Sequence, residues 1–231
     1  MSAMMTQSCL PLSHETHIYG KFRTVGTLAV GKDVNVVLSV TNPTEIPKDL
    51  NIKIRACSII YTRKEIHELL KECKKLHVKP KEEKEMPLTI TYSHYDGLLT
   101  ADNMIEVTAI CTSEKTNETV RIQTDIVLKN PTIEIKVLGK AYMNKPVTAE
   151  IVFTNPLDVE VSDMVVNAEG SGLLKDPLTK RASAVKAKDT ITIPIVITPY
   201  RPGKKHLLVD LNCDKFKNMK GYVEIDVQEA E

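Results

Sequence analysis

Five cysteines and six histidines are the side chains of this sequence best suited to covalent chemistry. A thiol nucleophile needs a base within hydrogen-bond reach and usually a third group that orients the base. Cys9, Cys57, Cys73, Cys111 and Cys213 stand at wide, unpatterned intervals, and His67, His77, His94 and His206 are the imidazoles that could approach a thiol. Nothing in the spacing pairs any of them. Cys57, Cys111 and Cys213 each lie in an apolar alternating stretch, the setting of a small buried hydrophobe. His67, Cys73 and His77 are close in sequence, but their spacing matches no zinc signature and a structural site takes four ligands. Asp96, Asp102 and Glu106 lack the ligand pattern of a calcium loop. The sequence has no G-x-G-x-x-G, phosphate loop, H-E-x-x-H or G-x-S-x-G.

Charge narrows the partners. Lys and Arg number 31 against 30 Asp and Glu, a formal net charge of +1. Lys140, Lys145, Lys175, Lys180, Arg181, Lys204 and Lys205 are scattered among acidic residues and read as solvated surface. Nucleic-acid binders show a clustered basic excess instead, so no nucleic-acid partner is expected. An odd cysteine count without C-x-x-C reads as free thiols in a reducing compartment. Met1 to Met5 lack a signal peptide's basic region and apolar run, and no stretch approaches about 18 apolar residues. The expected setting is cytoplasmic, without a membrane span. The sequon Asn117-Glu118-Thr119 then reads as an unmodified loop.

The elements that must position these residues are strands. Period-2 alternation of apolar and polar residues runs through Asp33–Val40, Leu50–Cys57, Met86–Thr91, Ile105–Cys111, Arg121–Leu128 and Ile133–Leu138. It resumes in Val147–Phe153, Met164–Ala168, Thr190–Thr198, His206–Leu211 and Tyr222–Val227. Many short strands between turn residues predict an all-β sandwich or barrel. With three Phe, seven Tyr and no Trp, its core must be aliphatic. Lys64–Lys75 departs from the pattern: Ile66, Leu69, Leu70, Cys73 and Leu76 fall at helical spacing, although a strand with Leu70, Leu76 and Val78 on one side also fits.

The pattern repeats. Gly31-Lys32-Asp33-Val34 through Val40-Thr41-Asn42-Pro43 resembles Asn144-Lys145-Pro146-Val147 through Phe153-Thr154-Asn155-Pro156, and Met86-Pro87-Leu88 resembles Ile193-Pro194-Ile195. Two copies of one unit, each the size of an immunoglobulin-like sandwich, fit 231 residues, with a join near Lys129-Asn130-Pro131. Residues 1–13 carry no periodicity and are expected to be a disordered tail.

Several stretches resemble the C-terminal half of transglutaminases. They are Val40-Thr41-Asn42-Pro43-Thr44, Tyr61-Thr62, Leu128-Lys129-Asn130-Pro131 with Ile133 to Gly139, Phe153-Thr154-Asn155-Pro156-Leu157, Glu169-Gly170-Ser171-Gly172-Leu173, and Asp214-Lys215-Phe216-Lys217 with Lys220-Gly221-Tyr222. The resemblance runs in register from about His17 to Val227. It implies two tandem immunoglobulin-like β-sandwich domains, 14–128 and 129–231, and favours a strand over 64–78. The family's acyl transfer needs a Cys in a Gly-Gln-Cys-Trp context with a His and an Asp, and this sequence has no Trp. The resemblance therefore implies the non-catalytic C-terminal pair, with no cofactor of its own, since calcium is held by the absent core.

The resemblance also assigns one site residue. A family Tyr at the end of a first-barrel strand hydrogen-bonds the core's catalytic Cys, and Tyr61 occupies that place. A second family feature, guanine-nucleotide contact through an Arg and a Tyr before the domain join, maps onto Thr124 and Val127. Threonine lacks the cationic fork that suits phosphate, so nucleotide regulation is not implied, although Lys21 and Arg23 are near in sequence. The function expected is regulation and docking on a transglutaminase catalytic core, in cis or in trans, the parent activity being calcium-dependent protein cross-linking. The alternative is a stand-alone immunoglobulin-like adaptor that binds protein partners through a sheet edge or through the loops Ser93–Gly97 and Pro199–Gly203.

Overall fold

The computed structural model describes residues 17–229; the expected tail, 1–13, lies outside them. The first unit contains β1 (Tyr19–Val25), β2 (Val34–Thr41), β3 (Lys48–Ile59), β4 (Glu65–Val78), β5 (Glu83–Ile90), a single helical turn α1 (Tyr92–Tyr95), β6 (Met104–Ser113) and β7 (Thr119–Val127). The second contains β8 (Glu134–Leu138), β9 (Ala141–Tyr142), β10 (Val147–Thr154), β11 (Met164–Glu169), β12 (Leu178–Ala182), β13 (Thr190–Ile197), β14 (Gly203–Asn212) and β15 (Met219–Gln228). Sheets β1-β2-β5 and β4-β3-β6-β7 form one sandwich, and β13-β10-β8 and β12-β11-β14-β15-β9 form the other. Successive strand residues point to opposite faces, which is why alternation built these layers. Leu50, Ile52, Ile54 and Ala56 of β3 are buried while Lys53 and Arg55 between them face out. The core is aliphatic as expected, with the Phe153–Phe216 pair, 6.2 Å between ring centroids, as an aromatic exception in the second unit.

Residues 65–78 are a strand, which overturns the helical reading of that segment, and its register explains the misleading pattern. Ala56 pairs with Leu70, Cys57 with Glu68, Ser58 with His67 and Ile59 with Glu65, so Leu69 and Ile66 are extra residues without a partner in β3. Each bulge shifts the alternation by one. The bulges break the phase of the alternation, and Ile66 and Cys73, which complete the helical spacing, are both exposed, so the pattern marks no single buried face. The sequence reading also missed the two-residue β9 and two longer strands, β1 and β12. Both are edge strands in which most side chains are exposed, so neither carries an apolar face for alternation to show.

The repeated Thr-Asn-Pro has a definite job. Asn42 and Asn155 are fully buried. The Asn42 side-chain amide donates to Ile46 O, Val78 O and Lys79 O, and its Oδ1 accepts from Thr44 N–H and Oγ1–H. Asn155 donates to Val159 O, Val185 O and Lys186 O and accepts from Leu157 N–H. Each buried side chain thus ties its own turn to a second segment, 78–79 in the first unit and 185–186 in the second, with its own amide fully hydrogen-bonded. The lysine ammonium groups of Lys81 and Lys188, both at positive φ, close the turns onto Pro43 O and Pro156 O.

The two units touch. Val30 N–H donates to Lys129 O and Lys129 N–H to Leu28 O. The phenol of the buried Tyr95 accepts from Gly31 N–H and donates to Lys32 O, fixing a corner that packs on the second unit. A Cβ on Gly31, at φ +93°, would stand 2.3 Å from Leu157 Cδ2. The Lys215 ammonium reaches both carboxylate oxygens of Asp96, at 3.0 and 3.1 Å.

Candidate functional site at the Tyr61 turn

Strands β3 and β4 form a hairpin, and Tyr61 stands in its turn. Ile60 N–H donates to Lys64 O and Arg63 N–H to Ile60 O, with Arg63 at φ +65°. Two further contacts hold the turn from the side. Tyr61 N–H donates to Asp102 Oδ2 at 3.0 Å, and the Arg63 guanidinium pairs with Asp125 of β7. Thr100 Oγ1–H donates to Ile59 O at the end of β3. The backbone of the turn is therefore fixed while the Tyr61 side chain is free: the residue is 78% exposed. A phenol offers one donor and one acceptor on an apolar ring.

The support continues into the second unit. Asn103, next to Asp102, donates its side-chain amide to Asn130 Oδ1, and Asn130 donates to Lys217 O. The Tyr61 turn, the 100–103 turn and the domain junction are thus joined by hydrogen bonds.

The other sequence candidates are not brought to this turn as a reactive group. Cys57, Cys111 and Cys213 are buried free thiols and Cys73 is an exposed one. Burial pushes the Cys57 and Cys213 thiols up and the Cys111 thiol to about 11, so all three are held protonated and poorly nucleophilic. His77 is engaged by Asp49 at 2.6 Å, and His94 caps the α1 turn at Thr91. Among the described residues no group of three or more His, Cys, Asp or Glu could hold a metal ion, and no helix is long and apolar enough to cross a membrane. Thr124 is half-buried and Val127 exposed on β7. Arg23 is paired with Glu85 at 3.0 Å.

The model of the transglutaminase family's C-terminal immunoglobulin-like domain matches the chain twice, over residues 18–123 and 131–229. This chain belongs to the transglutaminase family. It is similar to human protein-glutamine gamma-glutamyltransferase E, 40% identical over 215 residues that are 93% of this chain and 31% of the relative. The bovine protein of that name is 38% identical over 228 residues, 99% of this chain and 33% of the relative. Human protein-glutamine gamma-glutamyltransferase 6 is 35% identical over 213 residues, 92% and 30%. The chain thus spans about a third of the length of the curated transglutaminases it matches. In fold it is similar to red sea bream transglutaminase, with a TM-score of 0.79 at 23% identity over 93% of this chain and 32% of that one. The all-β pair of immunoglobulin-like sandwiches is accordingly the architecture of transglutaminase C-terminal domains.

Sequence reasoning from residue types alone would have missed Tyr61. One tyrosine at a strand end carries no pattern, and only the family resemblance singled it out. The groups that hold it, Asp102, Arg63 and Asp125, are ordinary charged residues brought together by the sheet.

Proposed function

We propose that this chain is a non-catalytic regulatory and docking module for a transglutaminase catalytic core, joined to it in cis or bound in trans. In this reading Tyr61 meets the core and its hydroxyl hydrogen-bonds the catalytic Cys, shielding the thiol while the site rests. Cross-linking activity and its calcium requirement belong to the core, and this chain contributes no cofactor. The observation that carries the reading is the Tyr61 turn itself, an aromatic side chain 78% exposed on a backbone tied down at Asp102 and Asp125. With the backbone already fixed, covering Tyr61 orders only its own side-chain torsions, which for tyrosine is a small entropic cost. Burial makes Cys57, Cys111 and Cys213 poor nucleophiles, in keeping with a structural rather than a catalytic use of these thiols, and the unlinked cysteines of the described residues suit a cytoplasmic setting.

The test adds the chain to a transglutaminase catalytic core expressed without its C-terminal domains. Calcium-dependent amine incorporation into a glutamine substrate is the readout. Binding with reduced activity is expected, and Tyr61→Phe should relieve the inhibition several-fold while leaving the thermal transition unchanged. Inhibition that is identical for Tyr61→Phe removes the hydroxyl from the mechanism. Failure to bind the core removes the docking role.

A further inference from the structure

Three of the lysines that look scattered in sequence are gathered in one place. The loop between β11 and β12 and the start of β14 enclose a groove of 620 Å³ that includes Lys175, Lys204 and Lys205 in its wall. Glu169 is the carboxylate of that wall, so the groove carries three lysines against one glutamate, a formal +2 on a chain whose whole net charge is +1. Lys204 is held by Glu224 at 3.0 Å. Among the described residues no carboxylate lies within 4.0 Å of the Lys175 or Lys205 ammonium.

The groove is built rather than loose. Leu173 is fully buried and pins the loop to the core, and Leu173 and Leu174 N–H both donate to Gly170 O. Tyr200 N–H, from the loop after β13, donates to Gly172 O and ties the opposite bank to the same loop. A Cβ at Gly170 would stand 2.7 Å from His206 O, so only glycine lets the loop lie this close to β14. Leu174, Pro177 and Leu208 give the wall an apolar side.

From there the groove opens across the outer face of the β11-β14-β15 sheet into a second hollow of 380 Å³. Leu208 is 48% exposed and its cross-strand partner Tyr222 is 74% exposed. The charge changes along the way: Asp210 lines the second hollow, opposite Lys220 in the neighbouring strand. Carboxylates of a partner therefore belong at the loop end, over Lys175 and Lys205, and an apolar side chain belongs over Leu208 and Tyr222.

We propose that this groove in the second domain docks an acidic peptide segment with an apolar anchor, Lys175 and Lys205 taking its carboxylates and Leu208 with Tyr222 taking the anchor. The inference is independent of Tyr61 and of any catalytic core. Rigid glycine-held banks lower the ordering cost of binding, and the cationic end sets the direction in which the segment lies.

The test titrates the ¹⁵N-labelled chain with the blocked peptide Asp-Glu-Leu-Phe-Asp-Glu and follows amide shifts. Saturable shifts at Ser171, Leu174, Lys175 and Leu208 are expected. The isomorphous peptide with lysines in place of the acids should not bind. Lys175→Glu with Lys205→Gln should weaken binding about tenfold, as should Leu208→Ser alone, while Lys136→Glu on another strand should not. Shifts confined to other surfaces, equal binding of the lysine peptide, or affinity unmoved by these variants would overturn the proposal. So would binding to phosphatidylserine vesicles without any binding of the peptide, which would make the groove a membrane contact.

Discussion

Removing the amide of Asn155 tests the fold where the sequence repeats. The side chain is fully buried, donates to three carbonyls and accepts one backbone N–H, from Leu157, at 3.0 Å. Asparagine has two amide protons, so the three carbonyls share them. Asn155→Ala removes two donors and one acceptor. At about 1 kcal/mol for each net hydrogen bond the loss is about 3 kcal/mol, and the orphaned Leu157 N–H can only add to it. That is a large part of the roughly 5–15 kcal/mol that holds a domain. With a urea slope of about 2 kcal/mol per M, the unfolding midpoint of the second domain should fall by about 1.5 M. Urea titration followed by far-UV circular dichroism reads it, with amide spectra assigning the transition to 131–229. Asn42→Ala should do the same to the first domain, because its contacts are equivalent. Midpoints that move by less than about 0.3 M in both variants would refute the claim that these amides satisfy the turns.

Three further outcomes can be checked on the same protein. Ser58 is fully buried and its hydroxyl has no hydrogen-bond partner, so Ser58→Ala should be neutral or stabilising by up to about 1 kcal/mol in the same urea titration. Burial pushes the Glu118 carboxyl up, but Lys48 and Ile18 N–H outweigh it and leave the group below its ordinary value of 4.5. Its stabilisation is therefore present above that value and lost as pH falls through the lower, folded one, so thermal midpoints of the native chain and Glu118→Gln should differ at pH 7 and converge in acid. Of the thiols at 57, 73, 111 and 213, Cys73 alone is exposed, so iodoacetamide with mass mapping should label it first, and prompt labelling of Cys111 in folded protein would contradict its burial.

The sandwich was legible because each buried strand face leaves a period of two. Where a strand has no buried face, as in β1 and β12, the signal vanishes, and where bulges at Ile66 and Leu69 break the phase, it imitates a helix. The Thr-Asn-Pro repeat was visible in sequence, but its reason, an amide feeding one carbonyl of its own turn and two of a distant segment, depends on tertiary neighbours. Tyr61 had no residue-level signature and came only through resemblance. The cationic groove was hidden for a geometric reason: Lys175 and Lys205 are thirty positions apart and meet only because β11 and β14 are neighbours in one sheet.

The open sides of the two sandwiches have a consequence for the chain as a free-standing object. Among the described residues β1 lies against β7 and β8 against β15, and the outer strands of the sheets include β4, β5, β12 and β13. Strand β5 carries Pro87 and β13 carries Pro194, which have no N–H to offer a neighbour. Strand β4 is bent by two bulges and studded with lysine and glutamate, and β12 is short and presents Lys180 and Arg181. None of these four strands offers a flat, unbroken edge to a further copy, so concentrated solutions should stay dispersed rather than grow sheet upon sheet.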